Sequence, residues 1–62
     1  MDKFEADRLA WNVRRTVGHH VAVVTDGEFF AVQVVHPTGH GNDTYTLCDE
    51  ADWDWLQPRI TG

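Results

Sequence analysis

The side chains of this sequence that are able to do chemistry are four histidines, one cysteine and ten carboxylates. His36 and His40 flank Pro37-Thr38-Gly39, a separation that zinc ligands use, and Asp43 and Cys48 are further ligand candidates. A structural zinc site normally has four ligands, and no second closely spaced pair accompanies these histidines. We therefore predict no bound metal and no other cofactor. A small zinc domain built on the two histidines is kept as an alternative hypothesis.

Catalytic motifs are missing from the sequence. It contains no nucleophile elbow, no phosphate-binding glycine loop and no HExxH pattern. Gly39 and Gly41 surround His40 and do not open a helix, so they do not form a phosphate loop. Cys48 is expected to be a small buried strand residue and not a nucleophile. We predict that the protein is not an enzyme and has no catalytic residues.

Length and charge limit the remaining functions. The 62 residues predict a single small domain over 1–62, which buries only about 60% of the surface that the unfolded chain exposes. One cysteine permits no internal disulfide, and the N-terminus lacks a secretory signal, so we expect a cytoplasmic protein with no membrane segment. The formal net charge of −5 argues against binding to a phosphate backbone, which needs clustered basic residues.

Hydrophobic periodicity predicts a helix over residues 2–17. Its apolar positions recur at the spacing of a buried helical face, and Gly18 follows where a C-terminal cap belongs. The residues of this apolar stripe are Ala6, Leu9, Ala10, Val13 and Val17.

A β-hairpin is predicted next. Two β-branched and aromatic runs, residues 19–25 and 28–36, flank Asp26-Gly27, and this pattern is typical of a two-residue hairpin turn. In that register Val23 opposes Phe30 and Val24 opposes Phe29. Glycine, proline and Asx residues predict a loop over 37–43, and residues 44–48 are predicted to form a short third strand.

The segment DEADWDWLQP, residues 49–58, places two tryptophans among four carboxylates. Asp49 is suited to cap a helix that begins at Glu50, with Asp52 at the third helical position as in a capping box. A helix is favoured over a strand because Asp is unfavourable in strands. We predict that one of Trp53 and Trp55 is buried and anchors the segment, since a small core has no room for both.

The predicted fold class is α+β: an N-terminal helix packed on a three-stranded antiparallel meander, followed by a short C-terminal helix. This α-β-β-β-α order resembles that of double-stranded-RNA-binding domains, without a matching motif. Those domains place lysines at the start of the last helix, where they bind phosphates. This sequence has only acidic residues there, which argues against direct nucleic-acid binding; they are Asp49, Glu50, Asp52 and Asp54.

Two surfaces remain without an obvious cover. On the first helix, Phe4, Arg8, Trp11 and Arg15 share a narrow sector opposite the apolar stripe. One interpretation is that the two arginines stack on the exposed rings, and a second is that the C-terminal segment folds back over Trp11. The third is that the four side chains form a partner-binding surface, because Trp and Arg are enriched at binding hot spots. The second face of the sheet does not alternate polar with apolar residues, so either the C-terminal segment or a second chain must cover it, and self-association as a homodimer is expected.

We therefore predict a small acidic protein-interaction module that regulates or inhibits a partner protein of unknown identity. A second hypothesis is an inhibitor that imitates nucleic acid, with phosphate-like carboxylates at Asp43, Asp49, Glu50, Asp52 and Asp54. The residues predicted to contact the partner are Phe4, Arg8, Trp11, Arg15, Asp52, Trp53, Asp54 and Trp55.

Overall fold

The computed structural model describes residues 1–17 and 20–61 and contains two helices and one sheet. Gly18, His19 and Gly62 lie outside the described residues, and with them lies the predicted glycine cap of the first helix. The elements in chain order are α1 (Lys3–Val17), β1 (Val21–Thr25), β2 (Phe30–Thr38), β3 (Gly41–Leu47) and α2 (Glu50–Thr61).

The three strands form one antiparallel sheet in the order β1-β2-β3, and both helices pack on the same side of it. The buried cluster joins residues of α1, residues of α2 and one alternating set of strand residues. The predicted α+β class and the α-β-β-β-α order are confirmed. The core consists of Ala6, Leu9, Ala10, Val13, Val32, Val34, Leu47, Trp53 and Leu56.

The first helix begins and packs as its pattern predicts. Asp2 caps it, because the Glu5 N–H donates to the Asp2 carboxylate at 2.8 Å, so the helix proper starts one residue later than expected. Along the side of the helix nearest β1, Arg14 Nη2 donates to the carbonyl of Val21 at 2.9 Å. No helix of the described part of the chain is both long and apolar enough to cross a membrane.

The predicted register of the first hairpin is wrong by two residues. Val23 pairs with Val32, and Thr25 pairs with Phe30, so the connection has four residues, 26–29. The cause is the Asp26 carboxylate, which accepts hydrogen bonds from the N–H groups of Glu28 and Phe29, both at 2.9 Å. Asp26 thus forms an Asx turn within a loop of four residues instead of two, and Gly27 in this loop has a φ of 101°. A shift of two residues leaves each side chain on its predicted face.

The loop predicted over residues 37–43 is also wrong, since these residues extend both strands around a two-residue turn at Gly39 and His40. Thr38 closes the turn: its hydroxyl donates to the carbonyl of Gly41 at 3.1 Å and accepts from the His40 N–H at 3.2 Å. Pro37 is tolerated in β2 because hydrogen-bonding direction alternates along a strand, and the nitrogen of Pro37 lies on the side away from β3.

The second helix starts where the capping pattern predicts. The Asp52 N–H donates to the Asp49 carboxylate at 3.0 Å, and the Cys48 N–H donates to the Asp52 carboxylate at 2.7 Å. The helix continues through Pro58 to Thr61, several residues beyond the predicted segment. In this last turn the side chains of Arg59 and Thr61 donate to the carbonyls of Trp55 and Gln57, respectively.

The two tryptophans of α2 have different environments, as predicted. Trp53 is only 7% exposed and belongs to the core with Leu56, whereas Trp55 is 56% exposed. Trp53 is therefore a structural residue and is removed from the predicted partner-contact set. Asp54 is exposed, whereas Asp52 is half-buried and its carboxylate caps the start of α2.

We expect Trp53→Ala to lower the free energy of unfolding by about 3–5 kcal/mol, the range for removing a buried aromatic side chain. Total stability at about 0.05–0.15 kcal/mol per residue is of the same size, so this variant should be largely unfolded at 25 °C. The matched Trp55→Ala should unfold close to the wild-type temperature. Thermal unfolding followed by circular dichroism measures both, and equal losses would contradict the assignment of Trp53 to the core.

The Asx turn predicts a pH dependence of stability. The N–H groups of Phe29 and Glu28 hold the pKa of Asp26 below its usual 3.8. The ionised carboxylate therefore stabilises the fold fully above that usual value, and this contribution is lost as the pH falls through the lower pKa of the folded state. Asp26→Asn should melt below wild type at pH 7, and the difference should shrink in strong acid. Glu28→Gln, which removes the neighbouring charge, serves as the control. A difference in melting temperature between wild type and Asp26→Asn that stays constant with pH would refute the explanation.

Candidate protein-interaction surfaces

The side of the sheet opposite the helices is not covered by any described residue. We call it the helix-free face. Its central part consists of three cross-strand rows, placed by the register and by the alternation of side chains along each strand. The rows are Val24-Ala31-Cys48, Ala22-Gln33-Thr46 and His20-Val35-Thr44, in which Cys48 lies one position beyond β3 and His20 one position before β1.

The helix-free face carries no Asp, Glu, Lys or Arg among the described strand residues, although the chain as a whole has a net charge of −5. Gln33 and Val35 are half-buried at its centre, and Ala22 and Thr46 beside them are exposed. A one-sided sheet that met only water would alternate polar with apolar residues. Because α2 packs on the opposite side, it does not provide the cover that the sequence pattern requires.

A groove of about 580 Å³ opens at the end of the sheet that carries the β1–β2 loop. It joins the helix-free face through the row Val24-Ala31-Cys48 and is also lined by Phe29, Phe30 and Met1, with Thr25 and Asp26 in the loop. Met1 is held there by backbone hydrogen bonds: its N–H donates to the carbonyl of Phe30 at 3.4 Å, and the Phe30 N–H donates to its carbonyl at 3.0 Å.

Cys48 is exposed, which contradicts the prediction of a buried strand cysteine. The reason is its place in the chain, since β3 ends at Leu47 and the backbone N–H of Cys48 is bound by the carboxylate of Asp52 at the start of α2. The capping arrangement therefore turns the chain out of the sheet at this residue. The thiol lies at the edge of the groove, outside the core.

Phe29 is presented to solvent by a well-defined loop. Its side chain is 62% exposed, while its backbone makes hydrogen bonds in both directions. Its N–H donates to Asp26, and its carbonyl accepts from the hydroxyl of Thr25 at 2.8 Å and from the Asp26 N–H at 3.4 Å. These hydrogen bonds involve only the backbone of Phe29. They keep its apolar ring exposed to solvent and outside the core.

The sector of α1 opposite the core is the second exposed surface, and we call Phe4, Arg8, Trp11 and Arg15 the aromatic stripe. Phe4 is 77% exposed and Trp11 is 56% exposed. The predicted stacking is present, since the guanidinium of Arg15 lies 4.8 Å from the centre of the Trp11 ring. Arg8 instead forms an ion pair with Glu50 at 3.1 Å and so connects α1 to the start of α2. The C-terminal segment, as far as it is described to Thr61, leaves Trp11 exposed.

Trp55 is separated from the aromatic stripe by α2 itself. It lines a small pocket of about 150 Å³ on the β3 side of that helix, together with Tyr45 and Leu56, and the guanidinium of Arg59 lies 3.9 Å from its ring centre. The predicted contact residues therefore fall into two separate places. Phe4, Trp11 and Arg15 form one surface, and Trp55 lines another together with Asp52.

The carboxylates proposed to imitate phosphates are largely engaged within the fold. Asp49 and Asp52 accept backbone hydrogen bonds at the start of α2, and Glu50 pairs with Arg8. Asp43 lies in β3, opposite His36 in the register of the sheet, six residues before Asp49. Asp52 is half-buried, whereas the other four, Asp54 of α2 among them, are exposed.

The histidines are not assembled into a metal centre within the described residues, where no three His, Cys, Asp or Glu side chains are grouped to hold an ion. His36 lies in β2 and is half-buried, whereas His40 is exposed in the following turn. His20 lies on the helix-free face and His19 is outside the described residues.

Sequence reasoning found the uncovered sheet face but missed the groove. The groove depends on the four-residue loop, on the contact of Met1 with Phe30 and on the end of β3 at Leu47, all of which involve distant parts of the chain. No protein-family model matches the sequence, and comparisons with curated proteins and with solved structures found no match.

Proposed function

We propose that the protein is a small non-catalytic interaction module of the cytoplasm that works as a homodimer and regulates or inhibits another protein. The observation that carries the proposal is the helix-free face, which is uncharged and without cover among the described residues. In this arrangement the sheets of two copies meet. The helices of both copies point outward and are available to the partner.

Charge supports the choice of this face for self-association. Two copies with a net charge of −5 each repel one another, and the repulsion is smallest where the approaching surfaces carry no acids. A charge that is buried without a counterion opposes association, so the absence of Asp, Glu, Lys and Arg from the central rows favours contact between identical faces. A two-fold axis then places the same patch on both sides of the interface.

The aromatic stripe supports a second, outward contact with a different protein. Phe4 and Trp11 lie two helical turns apart on the solvent side of α1, a spacing that fits a helix seated in an apolar groove. Arg15, which stacks on Trp11, adds a positive group to this otherwise acidic protein. The partner that fits is therefore an apolar groove with an acidic rim.

The two other functional hypotheses receive no specific support. An imitation of nucleic acid requires carboxylates that are available to a basic cleft, and most of the candidate acids cap α2 or pair with Arg8. A zinc domain on His36 and His40 requires further ligands, and the described residues provide no such group. Both stay hypotheses.

Ala22→Glu and Thr46→Glu test the dimer. Both positions are exposed in the central row, so the variants should fold, while the added charge should raise the dissociation constant of the dimer by at least about tenfold. Asn12→Glu adds the same charge to an exposed position of α1 and should leave the dimer unchanged. Sedimentation equilibrium over a range of concentrations gives the constants. A wild-type chain that is monomeric throughout would refute the proposal.

Trp11→Ala tests the outward contact. In affinity capture from the source cytoplasm, it should lose a partner that the wild-type chain retains, because truncation of a hot-spot aromatic costs about 2 kcal/mol or more. Trp55→Ala removes an equally exposed tryptophan from the other side of α2 and serves as the control. If both variants retain the same proteins as wild type, the aromatic stripe is not the contact surface.

A further inference from the structure

The groove at the loop end of the sheet has an apolar lining and an exposed aromatic ring beside it. Val24, Ala31 and Cys48 form the row that connects the groove to the helix-free face, and Phe29 stands next to them. The ring and the groove therefore belong to the same end of the same face. A surface that carries both a projection and a matching recess is complementary to a second copy of itself.

We infer that the occupant of this groove is Phe29 of a second copy, so that two chains exchange Phe29 rings around a two-fold axis. This inference rests on the proposed homodimer and identifies the contact that holds it together. The groove, at about 580 Å³, has space for a phenyl ring in addition to the Phe29 of its own chain. Aromatic pairs stabilise such a contact beyond the burial of their area.

The loop that carries Phe29, residues 26–29, is already ordered in the single chain. The backbone of Phe29 is already fixed by Asp26 and Thr25, so docking of the ring requires little additional ordering of the chain. Among the described residues, Asp26 is the acidic one that lines the groove, and its carboxylate accepts hydrogen bonds from the N–H groups of Glu28 and Phe29. The carboxylate keeps its negative charge, and these two N–H dipoles partly offset the repulsion that the charge adds at the point of contact.

The area that a dimer needs indicates how far the contact extends. A stable interface buries about 800 Å² on each chain. This is about a fifth of the accessible surface of 4232 Å². The exchanged rings therefore act together with the central rows of the helix-free face, through Gln33, Thr46 and Val35. Phe29 is expected to provide most of the affinity, because a few aromatic anchors dominate most interfaces.

Cys48 provides a direct probe, since its thiol lies at the groove edge and is exposed in the single chain. We expect the rate of its reaction with a maleimide to fall by about tenfold when the protein is concentrated from about 5 µM to about 500 µM, because the reagent reaches the thiol only in the monomer. Phe29→Ala should react at the fast rate at both concentrations. Asn12→Ala, at an exposed position of α1 outside the groove and the aromatic stripe, should behave as wild type.

Light scattering on the same samples distinguishes failure of the ring exchange from failure of the homodimer. A dimer whose Cys48 reacts at the monomer rate, or a Phe29→Ala dimer as tight as wild type, would overturn the exchange of rings and leave the homodimer standing. A monomer at every concentration would overturn both. Protection of Cys48 that does not depend on protein concentration would indicate that a small apolar molecule fills the groove, and would also overturn the exchange.

Discussion

A chain of this length can bury only one face of one sheet, and the rest of the structure depends on that limit. The nine core residues all lie between the sheet and the two helices, on a single side of β2 and β3. Small domains expose a large share of their surface, so each element must contribute to the same core. Trp53 and Leu56 bring α2 to the side that α1 already occupies. The consequence is a sheet whose other face has no cover from residues 1–17 and 20–61.

Several of the acidic residues stabilise local structure in this small fold. Asp2, Asp49 and Asp52 accept backbone hydrogen bonds at the starts of the two helices, and Asp26 opens the first loop. Carboxylates at these positions satisfy N–H groups that would otherwise lack partners, and they interact favourably with the helix dipole. Much of the acidity that suggests an imitation of nucleic acid is thus explained by local structure. The interaction surfaces are then defined by apolar side chains in uncharged or positively charged surroundings.

Local patterns predicted the parts of the fold that local forces determine. The 3.6-residue repeat of Leu9 and Val13 located α1, the two β-branched and aromatic runs located β1 and β2, and Asp49 with Asp52 located the start of α2. The turn chemistry was harder, because Asp26 is compatible with either a two-residue turn or a wider Asx loop. The hairpin around Gly39 was missed because pairing of β2 with β3 outweighs the loop character of Pro37 and its neighbours. The groove was beyond sequence reasoning, since Met1, Phe30 and Cys48 meet only in the folded chain.

The central claim is that the helix-free face is covered by a second copy of the chain. A dilution series of ¹H–¹⁵N correlation spectra tests it residue by residue without any substitution. The claim predicts concentration-dependent shifts at the amides of Ala22, Ala31, Gln33 and Thr46, with the amides of the aromatic stripe on α1 unchanged. Spectra that do not change with concentration, or changes confined to Phe4 and Trp11, would contradict it.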